Sequence, residues 1–323
     1  MNKKIYNKAR VTETLFYVSI IAIPLINFIF LQFYQNYVDV FIFSFKVWDF
    51  DTSSFHFNVN DPFLHYRNAI VEIVNNDLWV YAFRNALIST FIGYLFMPLY
   101  FIVPLYIVKK YFGHRFIKFI MLMPGMISAM VWTLLFTMLV DRGIPQLFGL
   151  KIGLLANKKT AFWTICARGV WFGFGSAVLM YTGLFSGIDQ SVIEAGEIDG
   201  LSFWGQWAHI YMPLTYPVWS LGFVNFFVGL FSGGSGLIEY FGYTAGKEVT
   251  NPGYILFVKV MGNSDMYGGF GFNCAASIMF TLVALPLTMF LKWAFERFGP
   301  SEDEPRTKKD NSFKRTYNDN FGR

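Results

Sequence analysis

Four carboxylates cluster between Ile188 and Pro213: Asp189, Glu194, Glu197 and Asp199, with no Lys or Arg among them. The first chemistry such residues offer is to their own backbone. Ser191 and Glu194 have the form of a capping box, a hydroxyl for the Glu194 amide and a carboxylate reaching back. Gly200 stands where a helix needs a left-handed residue after its end. Ser202 can cap a second short helix, whose Phe203, Trp207 and Ile210 recur at spacings of four and three and so share a face. Pro213 then ends that helix. The stretch reads as two short helices with a hinge, reserved for docking against something.

Elsewhere the chemistry is sparse. Gly246-Lys247 is the nearest approach to a phosphate loop, but Phe241 holds the place of its first Gly and Glu248 that of the Mg²⁺-binding Ser/Thr. No ATPase is expected, and no bound cofactor. His56, His65, His114 and His209 lack metal-ligand spacing. Gly233-Gly-Ser235-Gly236 does not form a nucleophile elbow. Cys166 and Cys274 both lie in apolar segments and read as small buried hydrophobes. Arg168, about two turns into an apolar run, is either a pathway residue or a side chain snorkelling to the interface. Asn225 suits a water-lined route or an interhelical hydrogen bond. Trp132, Trp171, Tyr181 and Trp219 could stack on a sugar ring or simply pack.

These residues must be positioned by a membrane fold. The chain has 323 residues, 54% hydrophobic, with 39 Phe and only 15% charged; a soluble domain carries roughly 25% charge. Its mean hydropathy is +0.41. The net charge of +5 suits membrane topology better than nucleic acid. Apolar runs predict six transmembrane helices at 14–33, 81–108, 116–140, 161–185, 213–231 and 272–293. Pro98 and Pro104 fall inside the second. The first run is too long for a cleaved signal peptide and offers no small-residue cleavage site.

Between the runs, 39–80 is an external loop with a short amphipathic helix near 63–74. Residues 141–160 and the Gly-rich 232–271 are further external loops, and 188–213 is cytoplasmic. The expected organisation is a cytoplasmic N-terminus at 1–13, a six-helix transmembrane domain at 14–295 and a polar, partly disordered cytoplasmic tail at 296–323. Lys109, Lys110, Arg115 and Lys118 favour both termini inside. Arg142, Lys151, Lys158 and Lys159 set against the acidic 188–213 favour the reverse. The first helix and the 109–118 cluster decide, which makes the acidic loop a functional exception.

The order Glu194-Ala195-Gly196, Asp199-Gly200, Ile210-Tyr-Met-Pro213 resembles the EAA loop of the membrane subunits of binding-protein-dependent ABC importers. That pattern is Glu-Ala-Ala, three residues, Gly, then Ile-x-Leu-Pro about nine residues on. Here Gly196 replaces the second Ala, Met212 replaces Leu, and Asp189 stands where a Pro is usual. Ser44-Phe45-Lys-Val-Trp48-Asp49, Leu122-Met-Pro124, Trp171, Gly183-Leu184 and Ser232 to Gly236 extend the likeness over nearly the whole chain. They narrow it to the carbohydrate-uptake, maltose- and oligosaccharide-type branch, and to its first permease.

The resemblance implies an all-α type I importer fold and a bacterial cell membrane location. It implies a second permease subunit, a cytoplasmic ABC ATPase dimer carrying ATP and Mg²⁺, and an extracellular or periplasmic solute-binding protein. It gives Glu194 a basic partner on the ATPase, Gly200 the bend, and Leu201, Phe203 and Trp207 the apolar anchoring. Polyol or glycerol-phosphate uptake is the alternative within the branch. A secondary transporter would want an acid well inside the spans, and no Asp or Glu lies there in the later runs.

Overall fold

The structure is a computed structural model that describes residues 16–22, 24–49, 51–231, 236–261 and 266–299. The expected N-terminal segment, most of the tail and most of the Ser232–Gly236 motif lie outside the described residues. The chain divides into two compact units, one of residues 1–95, 127–171 and 227–285, the other of 96–126, 172–226 and 286–323.

The described chain begins with α1 (Phe16–Asn27). It runs on through a π-helical stretch at Phe28–Asp39 into α2 (Val40–Phe43), ten residues past the predicted end of the first helix. A hairpin follows, β1 (Lys46–Asp49) antiparallel to β2 (Ser54–Phe57), with Lys46 opposite Phe57. Sequence reading missed it, although Asp49 and Ser54 flank the turn: the Asp49 carboxylate accepts from the Asp51 N–H and the Thr52 hydroxyl. The amphipathic helix expected near 63–74 is α3 (Leu64–Asn75).

α4 (Asp77–Val108) starts four residues before its predicted position, because Asn76 Oδ1 accepts from the Leu78 N–H and opens the helix early. Pro98 and Pro104 lie within it. The predicted third helix is broken in two. α5 (His114–Met126) contains Pro124, and α6 (Ala129–Met138) restarts after Ser128, whose extended backbone and side chain cap Val131 N–H. Pro124 is tolerated inside α5 as Pro98 and Pro104 are inside α4, so the break is set by Ser128, which caps a new helix.

Beyond α6 the helix continues through a π turn at Leu139–Gly143 into α7 (Ile144–Phe148), so the non-helical stretch expected from 141 opens at left-handed Gly149 instead. α8 (Ala161–Ser186) matches its expected span within one residue. Then come α9 (Gln190–Ile198), α10 (Phe203–Gln206), α11 (Met212–Leu214) and α12 (Tyr216–Val228). The Gly-rich 232–271 is largely helical, holding α13 (Leu237–Phe241), α14 (Pro252–Met261) and the start of α15 (Met266–Phe298).

By length and composition three helices can cross a membrane, α4, α8 and most of α15, and a fourth if α5–α7 is counted as one bent span. The predicted six therefore are not all met by single long helices among the described residues.

Each unit has its own packing. In the first, Trp79, Ala82, Ile255 and Phe280 form a core joined by Phe83 and Phe231. Asn85, 3% exposed, donates from Nδ2 towards the carbonyls of Lys247, Glu248 and Thr250 and so ties α4 to the segment before α14. In the second, Phe101 meets Tyr181, and Phe185 meets Tyr211, each with ring centroids within 5.1 Å.

A candidate coupling loop

The two-helix loop is present, with its caps rearranged. α9 is capped by Asp189, whose carboxylate accepts from both the N–H and the hydroxyl of Ser191. The Ser191–Glu194 capping box is therefore not what starts this helix. Asp189 has the non-helical backbone that a cap requires, and its oxygen reaches both groups of Ser191 first. Those two hydrogen bonds hold the exposed Asp189 carboxyl below the usual carboxylate range.

The end of α9 is as the sequence predicts. Gly200 has φ +77°. Its N–H bonds to Glu197 O at 3.1 Å, and the Leu201 N–H to Gly196 O at 2.9 Å. This is the paired closure of a Schellman turn, whose positive φ is open to Gly without strain. Ser202 Oγ accepts from Gly205 N–H at 3.3 Å and starts α10. The helix then widens through a π turn at Trp207–Tyr211 and passes Pro213 to Leu214. Pro213 falls in the first turn after that change of register, where its missing N–H is tolerated, so it does not end the helix.

Gly196 is buried, and so are Ile193 and Ile210. A Cβ at 196 would lie 2.6 Å from Ile210 Cδ1 and 3.2 Å from Leu201 Cδ1. The departure from Ala is a close approach of the two short helices.

With Ile193 and Gly196 turned inward, Ser191, Glu194, Ala195 and Ile198 face outward at spacings of three, four and seven. Ile198 is 86% exposed and Trp204 59%. Neither was singled out by the sequence. Glycine gives no sign of an inward face in a hydropathy pattern, and counting Gly196 as a contact residue would have revealed the outer stripe. The three expected anchors, Leu201, Phe203 and Trp207, are half-buried. Phe203 leans on Tyr111 with ring centroids 5.8 Å apart.

Besides Asp189, which caps α9, one of the four acids forms an ion pair among the described residues. Lys109 Nζ lies 3.3 Å from Glu197 Oε1. The basic loop after α4 and the acidic loop therefore meet here, and part of the positive charge missing from one is supplied by the other. Glu194 and Asp199 stay exposed.

The five expected pathway residues do not form one described site. Arg168 is 8% exposed, with its guanidinium 5.6 Å from the centre of the Tyr240 ring and close over left-handed Gly236. It is packed under α13 rather than snorkelling. Trp171 meets Trp132 edge-on at 5.0 Å. Tyr181 and Trp219 both touch Phe101. Trp219 donates from Nε1 to Met212 O. Only Asn225 has an exposed side chain.

Residues 108–303 match the family model described as binding-protein-dependent transport system inner membrane component. Over 120 residues the chain is 24% identical to the probable starch degradation products transport system permease protein AmyD of Thermoanaerobacterium thermosulfurigenes, covering 36% of this chain and 41% of that protein. Over 72 residues it is 32% identical to the lactose transport system permease protein LacF of Rhizobium radiobacter, covering 22% and 24%. The chain thus matches less than half the length of either relative.

In fold it is similar to a chain in the crystal structure of a bacterial ABC transporter involved in the import of the acidic polysaccharide alginate. The TM-score is 0.68 at 15% identity, over 92% of this chain and 99% of that one. A second structure, of the alginate transporter in complex with an alginate pentasaccharide-bound periplasmic protein, gives 0.64 at 17%, over 88% and 94%. On the extent of the family match, which takes in the whole two-helix loop, the chain belongs to the binding-protein-dependent transport system inner membrane components.

Proposed function

We propose that this chain is one permease subunit of an ATP-driven importer of sugars, oligosaccharides in particular, and that 188–213 receives the movement of a separate ATPase. The observation that carries the reading is the outward stripe of α9. Glu194, Ala195 and Ile198 are presented on a helix held from behind by Ile193 and Gly196 and ended by an unstrained Gly200. Such a surface is built to be gripped: a carboxylate for a basic partner, apolar side chains for a groove, and a stiff backing.

In this reading a second permease completes the pathway and a solute-binding protein delivers substrate. The ATPase dimer holds ATP and Mg²⁺, and this chain binds no cofactor. The chain sits in the bacterial cell membrane with both termini cytoplasmic. The sugar assignment draws on what AmyD and LacF are named for. Arg168, Trp171, Tyr181, Trp219 and Asn225 are the proposed pathway residues; reaching the first four requires the packed state to open.

The test is uptake in proteoliposomes holding both permeases, the ATPase and the solute-binding protein. Labelled malto-oligosaccharide should accumulate with ATP, and labelled glycerol 3-phosphate should not. Glu194→Lys should abolish uptake while the protein remains inserted. Normal ATP-coupled uptake by that variant, or external labelling of a single cysteine at 194, overturns the assignment.

A further inference from the structure

The two-helix loop has a neighbour that its proposed role does not use, the turn between α4 and α5. α4 closes as α9 does: the Lys110 N–H bonds to Ile107 O at 3.1 Å and the Tyr111 N–H to Tyr106 O at 3.5 Å. In α9 the left-handed residue of that closure is Gly200. Here it is Lys110, with φ +54°. A left-handed residue other than glycine is strained and persists only where its surroundings hold it. Tyr106 Oη donates to Phe112 O at 2.7 Å, the His114 N–H to Tyr111 O at 3.1 Å and the Ile117 N–H to Gly113 O at 3.0 Å. Every backbone carbonyl from Tyr111 to Gly113 is thus engaged, and the turn is stiff.

What the turn presents is Phe112, 97% exposed. Exposed Lys110 and Arg115 stand on either side of it in the chain. A single surface apolar residue is ordinary, but this one is held out by a strained and fully bonded backbone.

Ring contacts place the turn beside the two-helix loop. Tyr111 meets Phe203 at 5.8 Å, and Phe203 meets Trp204, itself 59% exposed, at 5.4 Å. Lys109 pairs with Glu197. The turn therefore touches both α9 and α10, and Phe112, next to Tyr111 in the chain, extends their aromatic row. The same contacts set it apart from lipid. The loop beside it carries exposed Glu194 and Asp199, which an anionic leaflet repels. α4 has 32 residues and is ~48 Å long, against ~40–45 Å for a bilayer with its head groups. The turn at its end reaches the aqueous phase, at the level where the loop is gripped.

We infer that Phe112 is a second docking point for the cytoplasmic ATPase, seated in an apolar socket with an acidic rim for Lys110 and Arg115, beside the groove that takes 188–213. The inference rests on the reading of that loop given above. It makes Phe112 a determinant of affinity, because an aromatic anchor that is already rigid loses little freedom on binding.

The experiment is titration of the ATPase onto the two permeases held together in lipid nanodiscs. Phe112→Ala should weaken binding about 5–30-fold, the worth of ~1–2 kcal/mol for an aromatic anchor. Folding and insertion should not change, since the side chain is exposed. Ile198→Asp reports on the two-helix loop itself. Loss of binding with Ile198→Asp but not with Phe112→Ala overturns the second docking point and leaves the loop reading standing. If neither variant weakens binding, both fall. A photo-cross-linker attached to Phe112→Cys, whose exposed thiol reacts ahead of buried Cys166 and Cys274, should join to the ATPase. Adducts with lipid or with the second permease alone overturn the inference.

Discussion

Gly196→Ala should be close to neutral, for two opposed reasons that can be separated. Replacing a mid-helix Gly gains about 0.5–1 kcal/mol by restricting the unfolded chain. The new methyl meets Ile210 Cδ1 at 2.6 Å and Leu201 Cδ1 at 3.2 Å. Ile210 Cδ1 is the free end of a side chain, so it can swing aside at about 0.5–1.5 kcal/mol for a strained rotamer. The sum is within about 1 kcal/mol of zero. Ile210→Val removes the very carbon that clashes. By itself it costs about 0.5–1.5 kcal/mol at this buried site. In that background Gly196→Ala should stabilise α9 by the full helix gain. The readout is amide hydrogen exchange of residues 190–198 in detergent, for the wild type, both single variants and the double. A coupling of about 0.5–1.5 kcal/mol is expected for side chains in contact. Equal effects of Gly196→Ala with Ile and with Val at 210 would refute the close-approach account.

Gly200→Val puts a β-branched residue at φ +77°, at a cost of at least about 1–2 kcal/mol; uptake should be lost while insertion persists, and Gly200→Asn should recover part of it. Ile198→Asp and Trp204→Asp alter exposed positions, where stability changes stay within about 0.5 kcal/mol; both should stop the ATPase from co-purifying without changing the melting temperature. The depressed pKa of Asp189 means its cap is fully made above the ordinary carboxylate value of 3.8 and is lost as pH falls through the lower, folded value. Protection of α9 should therefore be flat from neutral pH down to that region and fall only below it, and Asp189→Asn should remove the fall.

How far the sequence can be read depends on whether the deciding interaction is local. Gly200 and Ser202 were legible because a left-handed backbone and a side-chain cap involve only near neighbours. Asp189 against Ser191 was a contest between two competent caps, and a difference of two residues settled it. Pro124 suggests a kink, but the break that follows depends on Ser128 capping a new helix. The Gly-rich 232–271 looked like loop because glycine and proline disfavour helix. There Asn85, 162 to 165 residues away in sequence, holds the carbonyls ahead of α14, and no local pattern contains that contact. The same applies to Ile198, whose exposure follows from what packs behind Gly196.

If the two-helix loop receives a movement as proposed, its braces decide where that movement goes. Glu197 is tied to Lys109 at the end of α4. Phe203 leans on Tyr111, just beyond that end. Tyr211, 1% exposed, packs on Phe185 in the last turn of α8, itself 2% exposed. The ion pair joins a half-buried Lys109 to an exposed Glu197 and, open to solvent on that side, is worth about 1 kcal/mol, whereas truncating either buried ring to Ala costs about 3–5 kcal/mol. The stiff connection is therefore the aromatic one to α8, and Lys109–Glu197 can part and reform. A push received at Glu194 and Ile198 would pass through the Ile210–Gly196 contact into Tyr211 and Phe185. On this argument α8 moves with the loop, and α4 follows through its own buried ring contact, Phe101 on Tyr181 of α8 at 4.3 Å, rather than through the ion pair.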